Sequence, residues 1–280
     1  MTDSTLEVKL ERMQTILRSL KRVAVAFSAG VDSTFALKVA IDTLGPENVV
    51  AVTAKSDSLA RAEYDEAIRL AEALGAEHVI IETEEIKDPN YLANPTDRCY
   101  YCKSDLYGKL GDFIGFRGLE AVISGINADD YDDWRPGIRA ADEHKVRAPC
   151  AEAGMTKADI RVLSESMGLP TFDKPASPCL ASRVPYGEPI TPEKLEQIDR
   201  SEAFLHRLGF RECRVRHHGD LARIELPSDN IEQACRPQIR AQIDAALREY
   251  GYAYVAIDLA GFRSGSLNEV IAFGKRQPAV

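Results

Sequence analysis

Three things are scarce in this chain, and each excludes a class of protein. No stretch approaches the ~20 consecutive apolar residues of a membrane-spanning helix. Basic residues are outnumbered, 35 Lys and Arg against 44 Asp and Glu. The resulting net charge of −9 repels a polyanion at long range unless a local basic face compensates, so nucleic acid is not the expected partner. Cysteines number only six, and the first residues, Met1 to Glu7, lack the basic-then-apolar order of a signal peptide. A cytoplasmic location is therefore expected. There, six cysteines are poor disulfide candidates and read better as metal, cluster or catalytic thiols plus a few buried ones. Repeats and low-complexity tracts are also missing. At 280 residues the chain can bury a large domain and a small one.

The residues that are present organise themselves around one loop. Val23 to Phe27 is a short continuous apolar run, as a buried parallel strand would be. From Thr34 to about Leu44 the apolar residues fall on one broad helical face, and Gly45-Pro46 stops the helix. Between them lie Ser28, Ala29, Gly30, Val31, Asp32 and Ser33. A small-residue loop running into a helix N-terminus directs free N–H groups and the positive helix end at one spot, which suits a phosphate. No Gly-Lys-Ser/Thr follows, so it is not a Walker loop. The hexapeptide resembles the SGGxDS signature of the PP-loop ATP pyrophosphatases, with Ala29 in place of the first glycine. Alanine is acceptable there unless the position needs a positive φ.

Leu6, Leu10, Met13, Leu17 and Leu20 recur at helical spacing and predict a packed first helix. Strands are expected at 49–54, 78–82, 121–124 and near 146–148, alternating with helices at 59–74, 102–113, 139–143 and 157–167. That alternation predicts an α/β fold with a doubly wound parallel sheet. The segment from Lys174 to Pro192 is rich in proline and small residues. The boundary is placed there, giving an ATP-binding domain at 1–183 and a smaller α+β domain at 184–280. The latter should contain a helix at 192–208, strands at 213–217 and 221–226, one helix at 228–250, and a strand at 254–259.

Several residues could carry chemistry. Cys99 and Cys102 form a Cys-Tyr-Tyr-Cys pair followed by Lys103. By itself the pair could be a zinc or cluster half-site or a redox dithiol, although no second close pair completes a zinc site. Cys179 lies in a turn-rich segment shaped like a ligand loop. Asp129, Asp130, Asp132 and Asp133 follow a predicted strand end, where carboxylates beside a triphosphate are natural magnesium ligands. Asp32, inside the loop, is the better candidate for orienting the metal or the loop. Thr53 and Lys55 end the second strand, where the adenine is expected. Arg214 and Arg216 share one strand face and could bind a phosphate, with His218 following and Arg223 on the next strand. His217 and His218 read as ordinary polar residues. Cys150, Cys213 and Cys235 read as buried or incidental.

The string from Lys174 to Gly187 (KPASPCLASRVPYG), the run from Gly125 to Asp130, and Arg135-Pro136-Gly137 resemble the LarE family, and the likeness covers nearly the whole chain. The resemblance implies an ATP-dependent sulfurtransferase that adenylates a carboxylate of pyridinium-3,5-biscarboxylic acid mononucleotide and replaces oxygen with sulfur, in nickel-pincer cofactor synthesis. It implies ATP and Mg²⁺, with the loop, Thr53, Lys55, Gly125 and Asp129 around the nucleotide. It also implies Arg214 at the substrate phosphate with Lys103, Ser182, Arg183 and Glu202 nearby, where Arg216 joins as the second arginine of the strand face. In one branch the cysteine of CLASR gives up its sulfur. In the other it joins a CxxC pair to hold a 4Fe–4S cluster. Cys99, Cys102 and Cys179 match the second branch, with sulfide or another sulfur donor as partner. Relatives form trimer-based assemblies, so a homo-oligomer, up to a hexamer, is implied. A tRNA thiolase, an amide-forming ligase of NAD-synthase type and a non-enzymatic nucleotide-binding module are the competing readings.

Overall fold

The computed structural model describes residues 3–132, 135–263, 265 and 267; Asp133 of the acidic run lies outside them. In chain order the first elements are α1 (Asp3–Leu20), β1 (Val23–Ala26), α2 (Val31–Leu44), β2 (Val49–Lys55), α3 (Arg61–Ala73) and β3 (Glu77–Glu82). Next come α4 (Pro89–Leu92), α5 (Arg98–Arg117), β4 (Ala121–Ile123), α6 (Pro136–Glu143), α7 (Pro149–Glu152) and α8 (Lys157–Ser166). The last are α9 (Pro192–Arg207), β5 (Arg214–His218), β6 (Leu221–Glu225), α10 (Ser228–Cys235), α11 (Pro237–Glu249) and β7 (Tyr254–Ile257). Two compact units result. One comprises Met1–Ser56, Arg61–Asp88 and Asp97–Ser177; the other comprises Asp57–Ala60, Pro89–Thr96 and Pro178–Val280.

The first unit is the expected α/β fold. Its four strands are all parallel, in the order β3-β2-β1-β4. Alternate residues sort to opposite faces, as the pleat requires. Val23, Val25, Val49, Ala51 and Ile123 pack with Met13 and Leu17 of α1 and Phe35 and Val39 of α2. Ala24, Val50, Val52 and Val122 pack on the other side with Leu106, Tyr107 and Leu110 of α5 and Ala140 and Ala141 of α6. The sheet is therefore covered on both faces, which explains why its strands read as continuous apolar runs. The chain grows from β1 outward to β3, then returns to place β4 on the other side of β1. This reversal makes the carboxyl end of β1 the switch point, where open α/β sheets take their ligands. Around 146–148 the chain contributes one bridge, Arg147 to Ile123, and no longer strand.

The second unit holds a mixed three-stranded sheet, β5-β6-β7, with β5 antiparallel and β7 parallel to β6. Leu205, Phe210, Val215, Ile224 and Leu247 form its core. The single helix expected at 228–250 is instead two, α10 and α11. Pro237 is the reason. It lacks an N–H and suits the first position of a helix, while it forces Arg236 out of the helical region, to φ −59 and ψ 138. Asn94 ties the segment before α9 in place by donating from its amide to the carbonyls of Pro185 and Glu188 at 2.7 and 3.1 Å.

Candidate active site

The phosphate-loop residues are brought together at the switch point. Ser28 and Ser33 hydroxyls lie 3.1 Å apart, the Ser28 N–H donates to Ser33 Oγ at 3.3 Å, and Ser33 Oγ donates to the Gly30 carbonyl at 3.2 Å. These bonds fold the loop back on itself. Helix α2 begins at Val31, three residues before the expected start, so Val31, Asp32 and Ser33 are its first turn. The first N–H groups of a helix have no partner within it. Among the described residues, no backbone carbonyl accepts from the N–H of Gly30, Val31, Asp32 or Ser33. This is a ready anion cradle.

Two residues of the cradle answer to geometry that the sequence did not show. Ala29 has φ +55 and is fully buried. The condition set for alanine therefore fails: the position does require the left-handed region, at a cost of roughly 1–2 kcal/mol for a residue with a Cβ. The buried methyl offsets part of this by packing in the core beside α2. Gly125 follows β4 and lies against the start of α2. A Cβ there would come within 2.6 Å of the Ser33 nitrogen and 2.8 Å of the Asp32 carbonyl carbon. Only glycine lets these two backbones touch.

Acidic and basic groups surround the cradle. Asp32 pairs with Lys157, the first residue of α8, and keeps its other carboxylate oxygen buried without a hydrogen-bond partner. Burial pushes its pKa above the usual carboxylate range, against the Lys157 charge that pulls it down. Asp129 accepts from the Lys157 N–H at 2.8 Å. Asp130 accepts from the Asn127 N–H at 3.0 Å and pairs with Arg135 at 2.8 Å, so both its oxygens are engaged. Thr53 Oγ1 donates to the Phe27 carbonyl at 2.9 Å, which leaves it to accept from His78 Nε2, also at 2.9 Å. Burial lowers the His78 pKa and favours that neutral ring. Lys55 is at the exposed end of β2, 3.8 Å from Glu82.

Helix α5 carries the paired cysteines at its start, as its second and fifth residues. Cys99 is exposed and Cys102 half-buried; three residues apart, they lie on one side of the helix. Lys103 follows on the same helix, its ammonium 5.8 Å from the Tyr107 ring centre. A Cβ on Gly137 of α6 would come within 3.0 Å of Lys103 Cγ, so the two helices pack closely at this point. None of the six cysteines is in a disulfide. Among the described residues, no three His, Cys, Asp or Glu side chains are gathered to hold a metal ion. Cys150 and Cys213 are buried as expected, and burial pushes the Cys213 thiol up to about 12. Cys235 is exposed.

In the second unit, Cys179, Ser182, Arg183, Glu202, Arg214 and Arg216 come together. Arg183 is buried in a two-pronged pair with Glu202, Nε to Oε1 at 2.9 Å and Nη2 to Oε2 at 2.7 Å. Its remaining nitrogen donates to the carbonyls of Pro178 and Cys179 and to Ser182 Oγ. Glu202 Oε1 also accepts from the Val215 N–H at 2.8 Å, capping the edge of β5. One ion pair thus fastens the cysteine turn to both α9 and β5. Burial pushes the Glu202 carboxyl up, but the Arg183 guanidinium outweighs it and holds the pKa low. Arg216 donates to the Ser182 carbonyl at 2.7 Å and to Glu225 at 2.8 Å. Arg214 is buried beside Arg183; burial first, and that neighbouring charge second, depress its pKa despite Glu202. An anion beside Arg214 would relieve both. His217 bonds Gln197 at 3.0 Å and packs on Tyr252, a structural role as expected. His218 receives a bond from Arg223 at 3.2 Å.

Sequence reasoning passed over Lys157 and quoted Arg135 and Lys174 only within motif strings, giving none of them a role; the Lys174 amine bonds the Ala29 carbonyl. Lys157 and Lys174 act over more than a hundred residues of separation, which no local spacing displays.

Comparison with known proteins agrees with this geometry. The NAD synthase family pattern matches residues 8–93, the stretch containing the loop. An uncharacterized protein of Synechocystis sp. is 46% identical over 266 residues, covering 95% of this chain and 99% of that protein. The pyridinium-3,5-bisthiocarboxylic acid mononucleotide synthase of Lactiplantibacillus plantarum is 39% identical over 268 residues, 96% of each chain. A third relative, from Methanocaldococcus jannaschii, is 26% identical over 244 residues, covering 87% of this chain and 92% of its own. No helix among the described residues is long and apolar enough to cross a membrane. The chain belongs to the LarE family of PP-loop enzymes, the ATP-dependent sulfurtransferases that include the Lactiplantibacillus synthase.

Proposed function

We propose that this enzyme adenylates a carboxylate of pyridinium-3,5-biscarboxylic acid mononucleotide and exchanges the activated oxygen for sulfur, in nickel-pincer cofactor synthesis. The observation that carries this reading is the open N–H cradle at 30–33 in a chain 39% identical to the Lactiplantibacillus synthase over almost its full length. ATP lies with its phosphates on the cradle and its adenine near Thr53 and Lys55. A substrate carboxylate oxygen attacks the α-phosphorus, the bond to the β-phosphate oxygen breaks, and pyrophosphate leaves toward the loop N–H groups. A sulfur nucleophile then attacks the acyl carbon and AMP departs with the original carboxylate oxygen. AMP is a far better leaving group than hydroxide, hence the ATP requirement.

The partnerless buried oxygen of Asp32 has the chemistry a hard cation seeks, and Asp129 accepts from the backbone N–H of the same Lys157 whose ammonium pairs with Asp32. Mg²⁺ held there, with Asp130 as a further candidate ligand, would neutralise charge on the phosphates. Arg214 and Arg216 take the substrate phosphate, with Lys103 and Ser182 contributing, while the Arg183–Glu202 pair keeps the Cys179 turn in shape. Cys99 and Cys102, on one side of a helix N-terminus, have the donor character of a cluster half-site, and Cys179 is the third thiol. A 4Fe–4S cluster on these three would leave one iron to carry the transferable sulfur. The functional division is ATP binding in 1–183 and substrate handling in 184–280. The reading includes a cytoplasmic, trimer-based homo-oligomer, which light scattering measures.

Anaerobic reconstitution with iron and sulfide tests the sulfur half. The wild type should gain the broad visible absorption of a cluster and Cys99→Ala should not. An unchanged cluster in Cys99→Ala, or loss of one sulfur from Cys179 after turnover, would remove the cluster from the account.

A further inference from the structure

Lys174 has no role in the chemistry above, yet its ammonium reaches the phosphate loop. It donates to the Ala29 carbonyl at 3.1 Å, to Glu63 at 2.7 Å and to Glu66 at 2.6 Å. An ammonium has three protons, so this set is complete and fixes the amine. Glu63 and Glu66 stand three apart on α3 and present one face. The lysine side chain is only 14% exposed, so the ammonium itself is held largely out of bulk water.

The acceptor matters because it belongs to the one loop residue held at a positive φ with a Cβ. The Ala29–Gly30 peptide is trans, as every peptide described here is. In a trans peptide the carbonyl and the next N–H point in opposite directions. Holding the Ala29 oxygen toward Lys174 therefore turns the Gly30 N–H the other way, away from the lysine.

We propose that Lys174 is a positioning residue of the phosphate loop: gripped by Glu63 and Glu66, it fixes the Ala29–Gly30 peptide so that the Gly30 N–H faces the ATP phosphates. The proposal rests on the reading that residues 28–33 hold those phosphates. A purely electrostatic role for the lysine makes different predictions, and two experiments on the full chain separate them.

Steady-state pyrophosphate release gives KM for ATP and for the pyridinium substrate. Lys174→Met should raise KM for ATP about tenfold, the effect of one hydrogen bond to a charged group, with KM for the second substrate unchanged. Ala29→Gly in the same chain should recover at least half of that loss, because glycine adopts the left-handed conformation without being held there. No change in Lys174→Met, or no recovery by Ala29→Gly, overturns the proposal. If Lys174→Met does not fold, the Glu63→Gln/Glu66→Gln variant decides. Loosening the tripod should raise KM for ATP, whereas a lower KM, as expected from removing two negative charges near a polyanion, overturns it. Gly30→Val tests the underlying reading separately. If that variant binds ATP normally, the loop assignment fails whatever Lys174 does.

Discussion

Replacing Gly125 by alanine should damage the nucleotide site without altering any charged side chain. The added Cβ would approach the Ser33 nitrogen to 2.6 Å, the Asp32 carbonyl carbon to 2.8 Å and Ser33 Cα to 3.0 Å. All three are backbone atoms, so no side-chain rotation relieves the contact, and either β4 or the start of α2 must move. Overpacking of this kind costs about 1–3 kcal/mol, and the lower unfolded-chain entropy of alanine returns about 0.4–1 kcal/mol. A net loss of up to about 2.6 kcal/mol should lower the unfolding temperature by up to roughly 10 °C, as scanning calorimetry measures. The functional loss should be larger, because the atoms that move carry the N–H groups of the cradle. Displacing them by up to ~1 Å should reduce kcat/KM for ATP by about 10- to 100-fold. Unchanged values of both Tm and kcat/KM would refute the claim that this close approach shapes the site.

Gly111 and Gly115 are the matching controls: a Cβ at either meets nothing within 4 Å in the interior of α5, so each change to alanine should add about 0.5–1 kcal/mol of stability, seen as a higher Tm. Asp32→Asn should raise Tm while abolishing pyrophosphate release. Its carboxyl has a folded pKa above the unfolded one, so its contribution to stability is present only below the ordinary carboxylate range and is lost as pH rises, and the charge costs stability at neutral pH. Glu202→Gln should do the opposite. The Arg183–Glu202 pair is 2% and 8% exposed, and breaking a pair so buried costs about 3–5 kcal/mol. Because the Glu202 pKa is lowered on folding, its contribution is present above the ordinary carboxylate value and lost as pH falls through the folded value. Acid unfolding of Glu202→Gln should accordingly show a shallower dependence on pH below about 4 than the wild type.

What was legible in the sequence followed rules of short range. The apolar runs at 23–27 and 49–54 identify central strands because both faces of the sheet are covered, and the loop at 28–33 follows directly from strand and helix on either side. Pro237 was equally visible, but the apolar spacing across 228–250 continued through it and hid the break. The conformation of Ala29 could not be read, since φ is imposed by the turn into α2 and by a carbonyl held from Lys174, far along the chain. The acidic run at 129–132 looked like a metal site from composition. Its Asp130 has both oxygens engaged, by Asn127 and Arg135, contacts that a bound cation would have to displace, while one oxygen of Asp32 is buried without a hydrogen-bond partner. Arg183 and Glu202 were marked as substrate contacts by resemblance, and their bonds to each other became apparent only once α9 and β5 were in place.

The central claim is that ATP activates a carboxylate through an acyl-adenylate before sulfur enters. The direct measurement uses substrate whose carboxylates carry heavy oxygen, incubated with ATP, Mg²⁺, sulfide and the wild-type enzyme, with the nucleotide product weighed by mass spectrometry. The account predicts AMP bearing one heavy oxygen in step with thiocarboxylate formation. Unlabelled AMP, or ADP and phosphate in its place, would contradict it.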